Sequence, residues 1–251
     1  MKKTTSSKSN NKGHEFISVV IPAYNEKEYL GPCLDSLVWQ KTDYPFEVLV
    51  IDNNSKDTTA AIARSFKDKL NIRIINEPIQ GRGMARYRGF EEAEGDIIFS
   101  TDADTILPAD WIERFMKYFQ NPKVVAVTSL CNIDASSRFD NAVFKLFQRI
   151  ANEGHRIALG HYWLSGFSYA IRREIYIKSG KIDKTLNALD DVELGRRVRK
   201  FGKIKFVRDL PVLSSNRRFK KNVASGLIEY VMPFINVTVL KNKRFSMDNS
   251  R

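Results

Sequence analysis

The stretch DIIFSTDADTILPADW, residues 96–111, decides the fold. Three apolar residues and a Ser-Thr pair run directly into Asp102 and Asp104, with one small residue between the aspartates. A short apolar run opened by Gly95-Asp96 reads as a buried strand, so the aspartates fall where that strand leaves the sheet. Ligands of α/β proteins bind at such ends. Two carboxylates this close repel unless a cation, hydrogen bonds or a proton offsets the repulsion, which suggests a hard metal beside a phosphate. A second reading stays open: a polar turn in which Asp104 or Thr105 caps a helix carrying Trp111, Phe115 and Phe119.

Upstream, strands and helices alternate. FISVVI (16–21) and FEVLVI (46–51) are buried-strand runs, and IRII (72–75) is a third. Between the first two, YLGPCLDSLVWQ has helical spacing with Leu30, Leu34, Leu37 and Val38 on one side, and Pro32 predicts a kink or a late start. DTTAAIARSFKDKL and MARYRGFEEAE read as two further helices. Repeated β-α-β implies an α/β fold with a doubly wound, mostly parallel sheet. Parallel strands end on one edge, so Asn25, Glu26, Asp52, Asn53, Asp102 and Asp104 converge on one cleft although they are far apart in sequence. Local roles compete with this: Asn25 can cap the first helix and Asp57 the second.

The chain has 251 residues, 43% of them hydrophobic, enough for one large α/β core, the default, or two small domains, and too apolar for a disordered polymer. Its net charge of +12 favours an anionic partner without saying which. Cys33 and Cys131 stand far apart among apolar neighbours and read as reduced core residues of a cytoplasmic protein. Residues 1–15 form a basic, polar leader without the apolar run of a signal peptide. In the stretch 223–240, Glu229 and Pro233 interrupt a mostly apolar segment that is short for a bilayer span. Followed by KNKRF, it reads as a helix on the domain or on an anionic membrane surface, and residues 221–251 as a helix with a polar tail.

Two further stretches carry charge in patterns. In QGRGMARYRG (80–89), Gly81 and Gly83 would let backbone approach an anion. Arg86 there either neutralises a diphosphate or lies on an exposed helix face near Glu91, Glu92 and Glu94. In LDDVELGRRVRKFG (189–202), Leu194, Val198 and Phe201 share a helix face, and Asp190 with Glu193 fits an acidic capping box.

In order along the chain, VVIPAYNE, VLVIDNNSKDTT, GRGMARYRGFEEAEGDIIFSTDADT, GFSYAIRREIY and LDDVELGRRVRKFGK resemble the inverting family 2 glycosyltransferases of the GT-A fold, over residues 16–220. The resemblance implies a nucleotide-sugar-binding half (16–105) and an acceptor-binding, catalytic half (106–220). It implies that Pro22, Tyr24, Glu26 and Asp52 hold the nucleoside. Asp102-Ala103-Asp104 would be the Asp-x-Asp motif, with Asp104 on Mn²⁺ or Mg²⁺ and Asp102 on the ribose or acting through water. Asp191 would be the base for the acceptor hydroxyl. Asp190 stands where the family usually has Glu, a shorter side chain that would orient the acceptor differently.

Tyr162, Trp163 and Phe167 read either as acceptor or donor-sugar contacts, because aromatic faces suit sugar rings, or as core or interface packing. Trp163, Gly166 and Asp190 are the candidate acceptor contacts. His155 and His161 nearby read as polar packing. Arg86, Arg217 and Arg218 are candidates for the donor diphosphate. The processive members' Gln-x-x-Arg-Trp is replaced here by Ser-Asn-Arg-Arg-Phe, which argues for transfer of a single sugar. The implied partners are a nucleotide-sugar donor and a saccharide or lipid-linked acceptor, with an anionic membrane surface and no nucleic acid. The competing readings are a nucleotidyltransferase that makes a sugar nucleotide, and an inactive basic module binding a membrane or nucleic acid.

Overall fold

The computed structural model describes residues 15–133, 138–186, 189–215 and 217. The leader, Arg218 and the segment 221–251 read above as a terminal helix lie outside these residues, apart from Glu15, which pairs with Arg172 at 3.3 Å.

Strands β1 (Ile17–Ala23), β2 (Phe46–Asp52), β3 (Ile72–Asn76) and β4 (Ile97–Ser100) alternate with helices α1 (Leu30–Val38), α2 (Thr59–Arg64) and α3 (Arg82–Glu92). A two-residue strand β5 (Thr105–Ile106), helix α4 (Trp111–Phe119), strand β6 (Val124–Ile133) and the long helix α5 (Arg138–Leu159) follow. The described chain closes with β7 (Tyr169–Arg172), α6 (Arg173–Lys178), α7 (Asp190–Val198) and β8 (Lys203–Ser214). All eight strands form one sheet in the order β3-β2-β1-β4-β7-β6-β8-β5. Pairings among β1 to β4 are parallel, as is β6 with β8, whereas β7 runs antiparallel to both its neighbours and β5 antiparallel to β8.

Two apolar layers cover the sheet. Ile17, Val19 and Ile21 face one layer with Leu30, Leu34, Trp111 and Phe115, while Val20 faces the other with Ala85, Phe90, Tyr176 and Leu194. This is the period-two alternation of a strand buried on both faces. Burying such side chains is worth about 1.5–3 kcal/mol each, so the N-terminal strands are fixed in register and their polar ends are fixed with them.

Several local expectations are corrected. The second helix covers six residues, because the chain turns after Arg64 where Ser65 Oγ donates to the Ile62 carbonyl. Asn25 does not cap α1: it adopts φ +53° and its side chain accepts the Lys56 N–H at 2.8 Å, tying the β1 end to the β2 end. Asp57 stands one residue before the α2 N-cap, Thr58, and accepts the Thr59 N–H at 2.9 Å. Neither Asp104 nor Thr105 caps α4; Thr105 belongs to β5, and Trp111, Phe115 and Phe119 are buried as expected. Phe201 lies beyond the end of α7 and is exposed, while Leu194 and Val198 are buried.

Candidate active site

The ends of β1, β2 and β4 do share one edge: Ala23, Asp52 and Asn76 are in register, and Val20 pairs with Ser100. Beyond that edge stand two acidic groups, each joined to an arginine.

The first arginine is Arg86. It is 1% exposed, and its guanidinium donates to Asp190 at 2.7 Å and to Asp102 at 3.1 Å. The expectation of an exposed face beside Glu91, Glu92 and Glu94 is therefore corrected, and α3 shows why. A Cβ on Gly89 would stand 2.3 Å from Val20, and one on Gly83 would stand 1.9 Å from the Leu186 carbonyl oxygen. Gly89 lets α3 press onto the sheet, Gly83 lets its first turn press onto the backbone at Leu186, and Arg86 between them is buried. Gly83 thus meets backbone, while Gly81 N–H donates to Asn53 at 2.8 Å and fixes the helix start. Burial opposes the charge of Arg86, but the Asp190 carboxylate, with Asp102 and Asp191 behind it, more than offsets that and keeps the guanidinium protonated.

Asp190 consequently does not form the capping box. Its carboxylate is engaged by Arg86, the α7 N-cap is Leu189 at φ +59°, and Glu193 is gripped by Arg197 at 2.6 Å. Asp191 accepts hydrogen bonds from the Gly166 N–H at 2.6 Å and the Val192 N–H at 2.8 Å. It keeps a solvent-facing edge within mostly protein surroundings. Desolvation, and then the neighbouring charge of Asp190, push its pKa up from 3.8 to about 6. Gly166 leaves room for both charged groups: a Cβ there would lie 2.9 Å from Arg86 Nη2 and 3.0 Å from Asp191 Oδ2, so one of these side chains would have to shift.

The second arginine is Arg217. β8 pairs with β5 and the ladder continues as Ser215 N–H donates to the Asp104 carbonyl at 3.1 Å. This carries Ser215 Oγ and Arg217 Nη2 each to 2.7 Å from the Asp104 carboxylate, and Arg217 also pairs with Glu26 at 2.9 Å. The guanidinium lies 4.3 Å from the Tyr29 ring centroid, a cation–π contact. Neither Ser215 nor Tyr29 was singled out in the sequence. Only the strand pairing, which joins residues over a hundred positions apart, reveals them. Asp102 and Asp104 are thus neighbours in sequence that answer to different arginines, and the two guanidinium groups offset their repulsion.

The remaining candidates divide. Asp52 ends β2, its carboxylate accepting the Ser55 N–H at 3.1 Å, with Pro22 and Tyr24 half-buried on the adjoining β1 end. Trp163 is half-buried, its Nε1 donating to Ser165 Oγ at 3.0 Å. Tyr162 stacks on Phe206 at 5.1 Å and donates to Glu153, and Phe167 belongs to the core, so both serve packing. His155 and His161 each reach a backbone carbonyl at 2.8 Å, and desolvation lowers both pKa values, consistent with neutral packing rings. Cys33 and Cys131 are free and buried.

No described residues form a ready-made group of three His, Cys, Asp or Glu side chains for a metal. The carboxylates of Asp102 and Asp104 are of the oxygen type a hard cation takes, with its other oxygens from phosphate and water; here Arg217 supplies the positive charge beside Asp104, where such a cation would compete with it.

Comparison with known proteins identifies the family and the fold. The family model Glycosyl transferase family 2 matches residues 18–180. Glycosyltransferase AglE of Haloferax volcanii is 43% identical over 105 residues, 39% of this chain and 34% of its own length. The dolichol-phosphate mannosyltransferase of Pyrococcus furiosus is 30% identical over 167 residues, 63% of this chain and 47% of its own length. The matched segments therefore span between about a third and a half of these relatives. Among solved structures, the mannosyltransferase PcManGT of Pyrobaculum calidifontis, in complex with GDP-Man and Mn²⁺, superposes with a TM-score of 0.64 at 22% identity, covering 86% of this chain and 64% of that one. That likeness shows the GT-A fold.

Proposed function

Because the chain belongs to glycosyl transferase family 2, we propose that it moves one sugar, with inversion, from a nucleotide-sugar to a hydroxyl of a saccharide or lipid-linked acceptor, using a divalent cation. The observation that carries this reading is Asp191: a carboxylate pushed up to about 6, held by the Gly166 N–H, beside an Asp190 that shares Arg86 with Asp102. A general base poised near neutral pH suits removal of a hydroxyl proton as a bond forms.

In this reading Pro22, Tyr24 and Asp52 hold the nucleoside at the β1 and β2 ends. Asp104, with Asp102 behind it, would hold Mn²⁺ or Mg²⁺, which when bound supplies positive charge for the departing diphosphate. Arg217, which pairs with Asp104 and Glu26, would turn its fork toward the same diphosphate when the donor binds, and Arg218 joins it as a candidate. Arg86 keeps its hydrogen bonds inside the protein and orients Asp102 and Asp190, a role different from the diphosphate contact expected of it. The acceptor approaches past Trp163 and Gly166. Its hydroxyl proton passes to Asp191 as its oxygen bonds the anomeric carbon and the bond to the nucleoside diphosphate breaks.

A panel of nucleotide-sugars tests the proposal. Binding and slow hydrolysis should require Mn²⁺ or Mg²⁺ and release nucleoside diphosphate. Release of pyrophosphate from a sugar phosphate and nucleoside triphosphate would favour the nucleotidyltransferase reading, and polyanion binding without turnover the inactive module.

A further inference from the structure

The helix α5 has its polarity reversed relative to a helix packed on a core. Its inward side carries Phe144 but also buried Gln148, Asn152 and His155, and Gln148 is bonded to both backbone groups of Cys131 at 3.1 and 2.6 Å. Its outward side carries Leu146, Ile150 and Ile157, which are 59%, 64% and 76% exposed. Spacings of four and seven residues align these three in one stripe about 16 Å long, at about 1.5 Å rise per residue. Each is preceded in sequence by a cation, Lys145, Arg149 and Arg156, so a basic row borders the apolar stripe on one flank. The nearby acid Glu153 is already engaged by Arg156 and Arg208.

Exposed apolar residues scattered singly are ordinary, but three aligned along one helix face form a candidate interaction surface. We propose that α5 seats the protein on an anionic membrane surface, its aliphatic side chains entering the acyl boundary and its basic row lying among the headgroups. Charge decides the occupant. A stripe with one basic flank fits a surface that is apolar beneath and negative above, whereas a second copy would bring another chain of net charge +12 and the same basic row. Among described residues no helix is long and apolar enough to cross a membrane, and shallow seating needs none. From its C-terminal end the chain continues through Gly160, at φ +77°, into the segment that brings Trp163 and Gly166 to Asp191. The seated surface therefore adjoins the acceptor side of the cleft. This docking goes beyond the transfer reaction and is measurable without turnover.

Flotation of the full chain with phosphatidylcholine vesicles, with and without phosphatidylglycerol, tests it. The wild type should float with the phosphatidylglycerol vesicles at low salt and detach as salt rises. Ile150→Glu combined with Ile157→Glu should lower the bound fraction by about tenfold or more, with unchanged melting because both positions are exposed. Replacing Lys145, Arg149 and Arg156 together with Gln should remove the preference for phosphatidylglycerol. Equal flotation of wild type and both variants would overturn the proposal. So would light scattering that shows a wild-type dimer which the double Glu variant breaks, since a second copy would then be the occupant.

Discussion

Arg86 holds the acidic site together, and the cost of removing it is foreseeable. Arg86→Met would leave Asp190 and Asp102 without their common partner, Asp190 being 1% exposed. Breaking a buried pair from one side costs about 3–5 kcal/mol, so melting should fall by about 10 °C. Unchanged melting would mean that the two carboxylates find other partners. Asp191 and Asp104 should separate chemistry from binding. Asp191→Asn keeps the side-chain shape but cannot take a proton, so nucleotide binding should persist while transfer falls about 10²-fold or more. Asp104→Asn removes charge from the cation site, and binding and transfer should weaken together. With the Asp191 pKa raised to about 6, the base is lost to protonation as pH falls through that value. The acid limb of kcat/KM should therefore lie near 6 and disappear from the residual activity of Asp191→Asn. A wild-type rate in Asp191→Asn would move the base role to Asp190 or to the acceptor.

The strand ends were legible because apolar runs that stop at polar residues recur along the chain, and the ends of parallel strands share one edge. Asn25, Glu26, Asp52, Asn53, Asp102 and Asp104 all lie at or just beyond the ends of β1, β2 and β4. Helix lengths and helix faces were less legible. Arg86 among glutamates looks like a surface arginine, and only the contacts of Gly83 and Gly89 show that α3 is sunk against the protein. The Asp190 to Glu193 spacing satisfied a capping rule, yet a residue 104 positions away in sequence takes the carboxylate, and local spacing carries no such information. The segment before β7 yields a prediction of its own. Gly166→Ala would push a methyl group against both Arg86 and Asp191. The expected result is near-normal nucleotide binding with transfer lowered by about 10²-fold, since misplacing a catalytic group by an ångström has that effect. Full transfer activity would show that the loop yields without disturbing Asp191.

Across the whole molecule, the all-parallel half could be anticipated and the mixed half could not. β5 and β7 are two and four residues long, too short for periodicity to announce, yet they bring β8 and its following Arg217 back to Asp104. That closure links the last described residues to the first strand through Glu26, so filling the site should stabilise the entire fold. At about 100 times its Kd, a ligand specific to the native state adds about 2.7 kcal/mol. For a chain of this size that is a rise in melting temperature of about 5–10 °C. Nucleoside diphosphate with Mn²⁺ should produce such a rise, nucleoside alone a smaller one, and EDTA should abolish the difference between them. Arg217→Ala should separate two roles of one guanidinium. With the guanidinium gone from Asp104, Mn²⁺ alone should stabilise the variant more than it stabilises the wild type, because a competing positive charge has been removed. Nucleoside diphosphate should stabilise it less, because a fork for the phosphates is missing. If EDTA leaves the wild-type shift untouched, the carboxylates of Asp102 and Asp104 do not hold a cation for the nucleotide. If Arg217→Ala responds to both ligands as the wild type does, the guanidinium is a structural clasp between Asp104 and Glu26 and takes no part in binding.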